Sequence, residues 1–271
     1  MAGPYPPESA MKAGKILLPV LAALALALVW AMGGSVGGNP APLLSNATMV
    51  PVAGTRSDFA VFLGIENRGG PDRLTGASSA EAEEIVIAGA EAPGGPVIPG
   101  GATPSLSSDG AFLRLNGLTG PADDGRLVPL TLHFEQAGDI TTRARLVRDS
   151  SALAAHAVPD FSPVYDVPTG ETPPRLGLIL TPENDSWTVT LELRDFTLSP
   201  DTVDMAHQPG QGHAHLYLDG LKLQRMYTNQ ARIGALPPGR HMVKVTLNTN
   251  DHRAFRVKGE PVSALALIDV R

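Results

Sequence analysis

Cysteine is absent from the 271-residue chain, which excludes disulfide bonds, thiolate metal sites and thiol nucleophiles. A soft metal could therefore be bound only through histidine and methionine. The chain also lacks any block of lysine or arginine residues, and its formal net charge is −6. Because a polyanion binds a basic surface, we expect no nucleic-acid partner.

Only one long hydrophobic run is present, and it lies near the N-terminus. It extends from Ile16 to Met32, is interrupted by Pro19, and follows Lys12 and Lys15. This pattern is typical of an export signal, and its length lies between that of a signal-peptide core and that of the shortest membrane spans. Cleavage as a signal peptide and retention as a membrane anchor are therefore both open. In either case we expect a periplasmic or extracytoplasmic protein, anchored to the inner membrane if the segment stays attached.

Downstream of this run, short apolar stretches alternate with clusters of turn residues. The chain has 29 glycines and 25 prolines, and this part of it shows strand rather than helical periodicity. In one such stretch Leu130, Leu132 and Phe134 alternate with polar residues, as in a half-buried strand. The predicted segments are a signal peptide or membrane anchor with its linker at 1–42, a first β-domain at 43–148, a proline-rich linker at 149–174, and a second β-domain at 175–271.

Several sequence blocks of the first domain carry a resemblance to a known family. They are Ala60 to Asn67 with Asp72 to Ser79, the turn Val97 to Gly101, and Asn116 to Leu118 with Val128 to Gly138. These blocks resemble the periplasmic copper chaperone family called PCu(A)C. The resemblance implies a cupredoxin-like β-sandwich, a fold that carries Cu(I) in that family.

The metal-binding positions of the family are filled by other residue types in this chain. The family has its first His where this chain reads Glu84 to Ala88, and a His-x-Met where it reads Phe112 to Arg114. No methionine occurs between Met49 and Met205, and Cu(I) needs soft donors such as thioethers. We therefore predict that the first domain keeps the fold and has lost the family's metal site.

Histidines concentrate in the second domain, which indicates a metal site there. Five of the seven histidines are found between residues 207 and 252, namely His207, His213, His215, His241 and His252. Between two apolar stretches, Asp219-Gly220 predicts a two-residue type I′ hairpin turn. In the register that this turn implies, His213 faces Met226, and alternating leucines form the core face. We therefore expect His213, His215 and Met226 to share the opposite face.

Two further histidines are candidates to complete this site. His252 follows the end of a later strand and is expected to cap the same face, and His207 lies on a Gly/Pro-rich loop that is expected to fold over the hairpin. We expect Tyr217 and Lys222 beside the histidine pair, and His241 at the surface because it follows a Pro-Gly turn. The predicted metal ligands are His213, His215, Met226, His252 and His207.

The second domain also carries a resemblance of its own. Gly212 to Gly220, Ala235 to His241 and Leu247 to His252 are similar to a small β-sandwich module of secreted bacterial proteins. We therefore expect an all-β fold with two β-sandwich domains, one cupredoxin-like and one immunoglobulin-like, after an N-terminal signal or anchor helix.

The favoured hypothesis is an exported copper-binding protein that serves as a copper chaperone or in copper sequestration, without turnover. Imidazole and thioether donors together accept Cu(I) or Cu(II), and Asp204 and Asp251 keep zinc open as an alternative. The expected partners are the copper ion and a copper-acceptor protein. Two other classes stay open. One is a metal-dependent extracytoplasmic enzyme, although no carboxylate stands at a fixed spacing from the histidine pair, and the other is a scaffold module with merely exposed histidines.

Overall fold

The computed structural model describes residues 40–148 and 163–271, and the regular structure in these ranges is β-strand apart from a 3₁₀ turn at Pro200–Thr202. The all-β prediction is confirmed. The predicted signal or anchor run and residues 149–162 of the predicted linker lie outside the described residues. In the part of the chain that is described, none of the helical structure has the length and hydrophobicity of a bilayer span.

The N-terminal half pairs its strands in the order β5-β3-β8-β9-β1-β2-β7-β4, with β6 also on β2 and with β1 and β9 parallel. Its nine strands are β1 (Leu43–Pro51), β2 (Phe59–Glu66), β3 (Asp72–Ser78), β4 (Glu84–Ala88), β5 (Val97–Ile98), β6 (Ser105–Leu106), β7 (Phe112–Asn116), β8 (Leu127–Phe134) and β9 (Gly138–Leu146). In β8, Leu130, Leu132 and Phe134 are buried and alternate with more exposed residues, which confirms the predicted pattern.

The C-terminal half is centred on β14, which lies between β15 and β17. Its strands are β10 (Val164–Asp166), β11 (Arg175–Glu183), β12 (Ser186–Arg194), β13 (Thr197–Leu198), β14 (Gln211–Leu218), β15 (Leu221–Met226), β16 (Gln230–Ile233), β17 (Gly239–Asn248), β18 (Ala254–Val257), β19 (Glu260–Pro261) and β20 (Ser263–Val270). Strand β17 also pairs with β20, and β18 pairs with β10, β17 and β19. Strands β11, β12 and β16 form a separate three-stranded sheet. The strand β10 falls inside the predicted linker.

The predicted hairpin turn at Asp219-Gly220 is present, and it packs against the N-terminal half. Both residues have positive φ angles, 51° and 85°, as a type I′ turn requires. Glu91 N donates to Asp219 O at 2.9 Å, and Ala111 N donates to Gly220 O at 2.8 Å. A Cβ atom at Gly220 would lie 2.3 Å from Gly89 O, so only glycine fits this approach. The two halves therefore meet at this turn.

The register of this hairpin departs from the prediction two residue pairs beyond the turn. Leu223 is an extra residue that forms a β-bulge in β15, so that Ala214 opposes Met226. Met226 is consequently buried in the apolar core. The predicted pairing of Met226 with His213 is wrong, because a shift of one residue moves every following side chain to the other face.

His241 was expected at the surface, but it is buried, with 2% of its area exposed. His241 Nδ1 donates to Asp219 Oδ2 at 2.8 Å, and His241 Nε2 lies 2.9 Å from Pro237 O. The surface prediction is wrong because β17 directs this side chain towards the carboxylate of the hairpin turn. The hydrogen bond to Asp219 raises the pKa of His241 above its ordinary value, against the opposing effect of burial.

We expect the stability contributed by His241 to decline as the pH rises. The pKa in the folded chain lies above the unfolded value of about 6.5, so this contribution is complete below about pH 6.5 and is lost as the pH rises through the folded pKa. The His241→Gln substitution should therefore cost about 1.5–3 kcal/mol in unfolding free energy at mildly acidic pH, and less at alkaline pH. Denaturant unfolding of both proteins across this range checks the expectation. A cost that grows with pH would contradict it.

Candidate metal centre

Three histidine side chains of the C-terminal half converge on one point. His213 and His215 are two residues apart on β14 and share a face, and His252 lies in the loop after β17. His213 Nε2 is 2.9 Å from His215 Nε2 and 3.3 Å from His252 Nδ1. One ring nitrogen from each residue lies within 4.8 Å of the other two. The structure thus brings together three of the five predicted ligands, and no comparable group of His, Asp and Glu side chains was found elsewhere in residues 40–148 and 163–271.

The backbone around these residues explains why the sequence brings them together. A Cβ atom at Gly212 would lie 2.1 Å from Asn248 O, so glycine lets β14 approach the end of β17 closely just before His213. Beyond Asn248 the chain turns sharply, and His252 N donates to Thr249 O at 3.0 Å. His252 itself has a φ of 67°, a left-handed conformation that histidine adopts more readily than most residues.

The N-terminal half supplies a carboxylate to this cluster. Asp109, on the connection between β6 and β7, lies with Oδ2 2.7 Å from His215 Nδ1, which donates to it. Tyr217 Oη and Lys222 Nζ also donate to Asp109 Oδ2, at 2.9 Å and 2.6 Å. Tyr217 and Lys222 were expected beside the histidines, but Asp109 was missed. A lone aspartate in the other half of the sequence carries no local signal of such a contact.

A second carboxylate holds the loop histidine in the same way. His252 Nε2 donates to Asp204 Oδ1, which leaves the lone pair of His252 Nδ1 directed at His213. His215 has the complementary arrangement, since its Nδ1 donates to Asp109 and its Nε2 is directed at His213. Carboxylates that fix the outward nitrogen of a histidine in this manner are the usual second layer of a metal site.

The electrostatics of the cluster keep its two buried histidines, His213 and His215, neutral at physiological pH. His213 and His215 are 1% and 3% exposed, and burial is the main cause that lowers the pKa of His213 to about 2 and that of His215 to about 4. For Asp109, burial by itself raises the pKa, but the hydrogen bond from His215 and the charge of Lys222 outweigh it and lower the pKa overall. His213 and His215 therefore present neutral imidazoles, the form that binds metals, and His215 does so beside the ionised carboxylate of Asp109.

The remaining two predicted ligands lie elsewhere. The centroid of the His207 ring lies 4.1 Å from that of Tyr165 and 5.6 Å from that of Phe255, in tilted and edge-on geometry, and its Nε2 lies 3.6 Å from Glu171 Oε1. The loop therefore packs against β10 and β18 and not over the hairpin. Met226 is in the apolar core, as the bulge dictates. That His207 and Met226 bind the metal therefore stays a prediction, and no contact with the three converging histidines supports it.

A cavity of about 590 Å³ adjoins the cluster. His215 and His252 line it from the metal-binding side, and Asp109 lines it from the N-terminal half. Proteins that use a bound metal for more than structure leave a coordination position open towards such a space. The arrangement can therefore hold an ion through three nitrogens and still expose it to a further ligand.

Comparison with known proteins finds a family match within the N-terminal half. Residues 43–146 match a family of lipoproteins described as LpqE-like, and no curated protein matches the chain. Similar solved structures include the copper-bound PCuAC domain from PmoF2, with 20% identity and a TM-score of 0.36, covering 39% of this chain and 91% of that one. The apo PCuAC domain from PmoF1 has 22% identity and a TM-score of 0.35, covering 39% and 92%. The Cu(I) form of DR1885 from Deinococcus radiodurans has 22% identity and a TM-score of 0.33, covering 42% and 83%.

Proposed function

We propose that this protein is an extracytoplasmic copper-binding protein that holds one ion through His213, His215 and His252. The observation that carries the proposal is the convergence of three ring nitrogens within 4.8 Å, with the outward nitrogens of His215 and His252 held by carboxylates. Metal–imidazole bonds are roughly 2.0–2.1 Å long, so two nitrogens on one tetrahedral ion lie roughly 3.3 Å apart. The distances of 2.9 Å and 3.3 Å between the ring nitrogens are close to this spacing.

The donor set favours copper over other metals. Imidazole binds copper and zinc, and for a given nitrogen site Cu(II) binds more tightly than Zn(II). The chain has no cysteine, and Met226 is turned into the core, so no soft sulfur donor adds a preference for Cu(I). We therefore propose copper in either oxidation state, with Cu(II) preferred over zinc.

We further propose a role in copper delivery or sequestration without turnover, with a copper-acceptor protein as partner. The lysine-flanked hydrophobic run at Ile16 to Met32 and the similarity of residues 43–146 to a lipoprotein family support a location outside the cytoplasm, with anchoring to the inner membrane if the run stays attached. We propose that the N-terminal half is a cupredoxin-like sandwich that has lost its own metal ligands, and that the C-terminal half is an immunoglobulin-like sandwich.

A metal-dependent enzyme is the second candidate, and the cavity favours it. Three protein ligands with an open fourth position are also the arrangement of catalytic zinc sites. An enzyme needs a free general base as well, and Asp109 is occupied by three hydrogen-bond donors. Hydrolysis of an activated ester by the zinc-loaded chain, lost on replacing His215, would favour this candidate.

The proposal is tested by titrating Cu(II), Cu(I) and Zn(II) separately into the metal-free full chain. We expect one copper ion per chain, Cu(II) bound more tightly than Zn(II), and nitrogen hyperfine structure in the EPR spectrum of the Cu(II) form. Copper at a hundredfold excess over its Kd should stabilise the fold by about 2.7 kcal/mol, because only the native state holds the three nitrogens together. Binding of copper without any nitrogen signature, or no change in unfolding, would contradict the proposal.

A further inference from the structure

The cavity beside the three histidines has an excess of positive charge. Lys222, Arg225 and Lys244 line it, and Asp109 is the carboxylate among the lining residues. Lys222 is matched by Asp109 at 2.6 Å, and Lys244 Nζ pairs at 2.9 Å with Glu91, outside the cavity lining. This leaves Arg225 as the lining cation that has no ion-pair partner among the described residues, and Asp204 interacts with it only at longer range.

Arg225 is placed to act on a ligand of the metal. It lies directly opposite His215 across the β14 and β15 pairing, on the same face as the histidines. Its charge contributes to lowering the pKa of both His213 and His215, as a cation close to the cluster would. Within residues 40–148 and 163–271, no carboxylate lies within ion-pair distance of its guanidinium group. Arg225 is exposed towards solvent, so an anion entering from outside can reach it.

The bound metal itself calls for an anion. Three neutral imidazoles leave the two positive charges of Cu(II) uncompensated in a cluster where His213 and His215 are almost wholly buried. The charge of Lys222 already balances Asp109, the carboxylate in contact with His215, and Asp204, the carboxylate in contact with His252, offsets only one of the two charges. An unbalanced charge in a buried site is costly, and a negatively charged ligand on the open coordination position removes that cost.

The shape and chemistry of the cavity indicate a small organic anion. Its volume of about 590 Å³ falls within the range of sites for small molecules. Apolar side chains, including Phe62 and Pro261, form part of the wall, and Ser107 and Thr246 add hydroxyl groups. A guanidinium group pairs best with the two oxygens of a carboxylate, and Cu(II) accepts carboxylate oxygens alongside imidazole.

We propose that this cavity binds a small carboxylate-bearing anion, which occupies the open position of the metal while Arg225 pairs with it. This inference rests on the proposed copper site. It identifies the cargo as a complex of copper with a carboxylate ligand, and it makes Arg225 the residue that distinguishes such a complex from the hydrated ion.

The experiment titrates malonate, and separately azide, into the Cu(II)-loaded full chain and follows visible absorption and EPR spectra. Three proteins are compared: the unaltered chain, Arg225→Gln, and Arg240→Gln as the matched control. Arg240 is an exposed arginine paired with Asp269 on another part of the surface. We expect a saturable 1:1 change with malonate in the unaltered chain and in Arg240→Gln, and an affinity about tenfold weaker or more in Arg225→Gln. Azide, which lacks the two-oxygen geometry, should bind with similar affinity to all three.

The outcomes separate this inference from the proposed function. If copper does not bind, the copper site and the anion site both fail. If copper binds but malonate causes no saturable change, removes the metal, or binds Arg225→Gln as tightly as the unaltered chain, the anion site alone is overturned.

Discussion

Replacing His215 by alanine is expected to lower the copper affinity of the full chain by roughly 10²–10³-fold. Structural sites with four ligands are worth about 10–16 kcal/mol, or about 2.5–4 kcal/mol per ligand, and each 1.4 kcal/mol is a factor of ten. The loss should be this large because His215 supplies one of only three converging nitrogens. Competition titration against a chelator of known affinity measures it.

One control variant and one second variant test this prediction. His133→Ala removes a partly exposed histidine that also contacts a carboxylate, Asp139, but lies in the N-terminal half, and it should leave copper binding unchanged. Because His215 is buried, its replacement also destabilises the fold, which by itself would reduce copper binding. His252→Ala serves as a second variant, since it changes a loop residue and should weaken copper binding to a similar extent. Undiminished affinity in either folded variant would remove that residue from the site.

The Asp109→Asn substitution is expected to weaken copper binding by about 10–100-fold, although Asp109 does not touch the ion. Loss of an outer carboxylate that orients a histidine typically has this effect. In the variant, His215 loses the charged acceptor that fixes its tautomer and directs its Nε2 inward. Chelator competition measures the affinity, and the EPR spectrum of the bound Cu(II) should shift, which a purely structural role would not cause.

Asp139→Asn is the matched control for this substitution. Asp139 Oδ1 contacts His133 Nδ1 at 2.7 Å, the same contact type and distance as in the Asp109–His215 pair. Asp109→Asn should also lower the melting temperature, because Lys222 loses its charged partner, so binding is measured well below the transition. An unchanged EPR spectrum and affinity in Asp109→Asn would show that the carboxylate only joins the two halves.

Local sequence patterns were sufficient for the strands and for the turn that organises the site. The alternation in β8 and the positive φ angles at Asp219 and Gly220 follow from periodicity and turn chemistry within a few residues. The same hairpin shows where such reasoning ends. The bulge at Leu223 leaves no mark in the sequence, yet it moves Met226 from the histidine face into the core.

The errors in the candidate site arise from contacts between distant parts of the chain. His241 is buried because Asp219, in the turn between β14 and β15, accepts its hydrogen bond, and His207 packs instead against the rings of Tyr165 and Phe255. Asp109 was missed for the same reason. The pairing of His213 with His215 was predictable because alternation along one strand sets it.

The docking of the Asp219-Gly220 turn on the N-terminal half has a thermodynamic consequence. The backbone hydrogen bonds from Glu91 and Ala111 hold the hairpin where Asp109 contacts His215. The free energy of association of the halves and the free energy of copper binding are therefore coupled. By reciprocity, the free energy that Asp109 adds to copper binding is also added by bound copper to the association of the two halves. Copper binding therefore strengthens their association, and a partner protein that separated the halves would lower the copper affinity and release the ion.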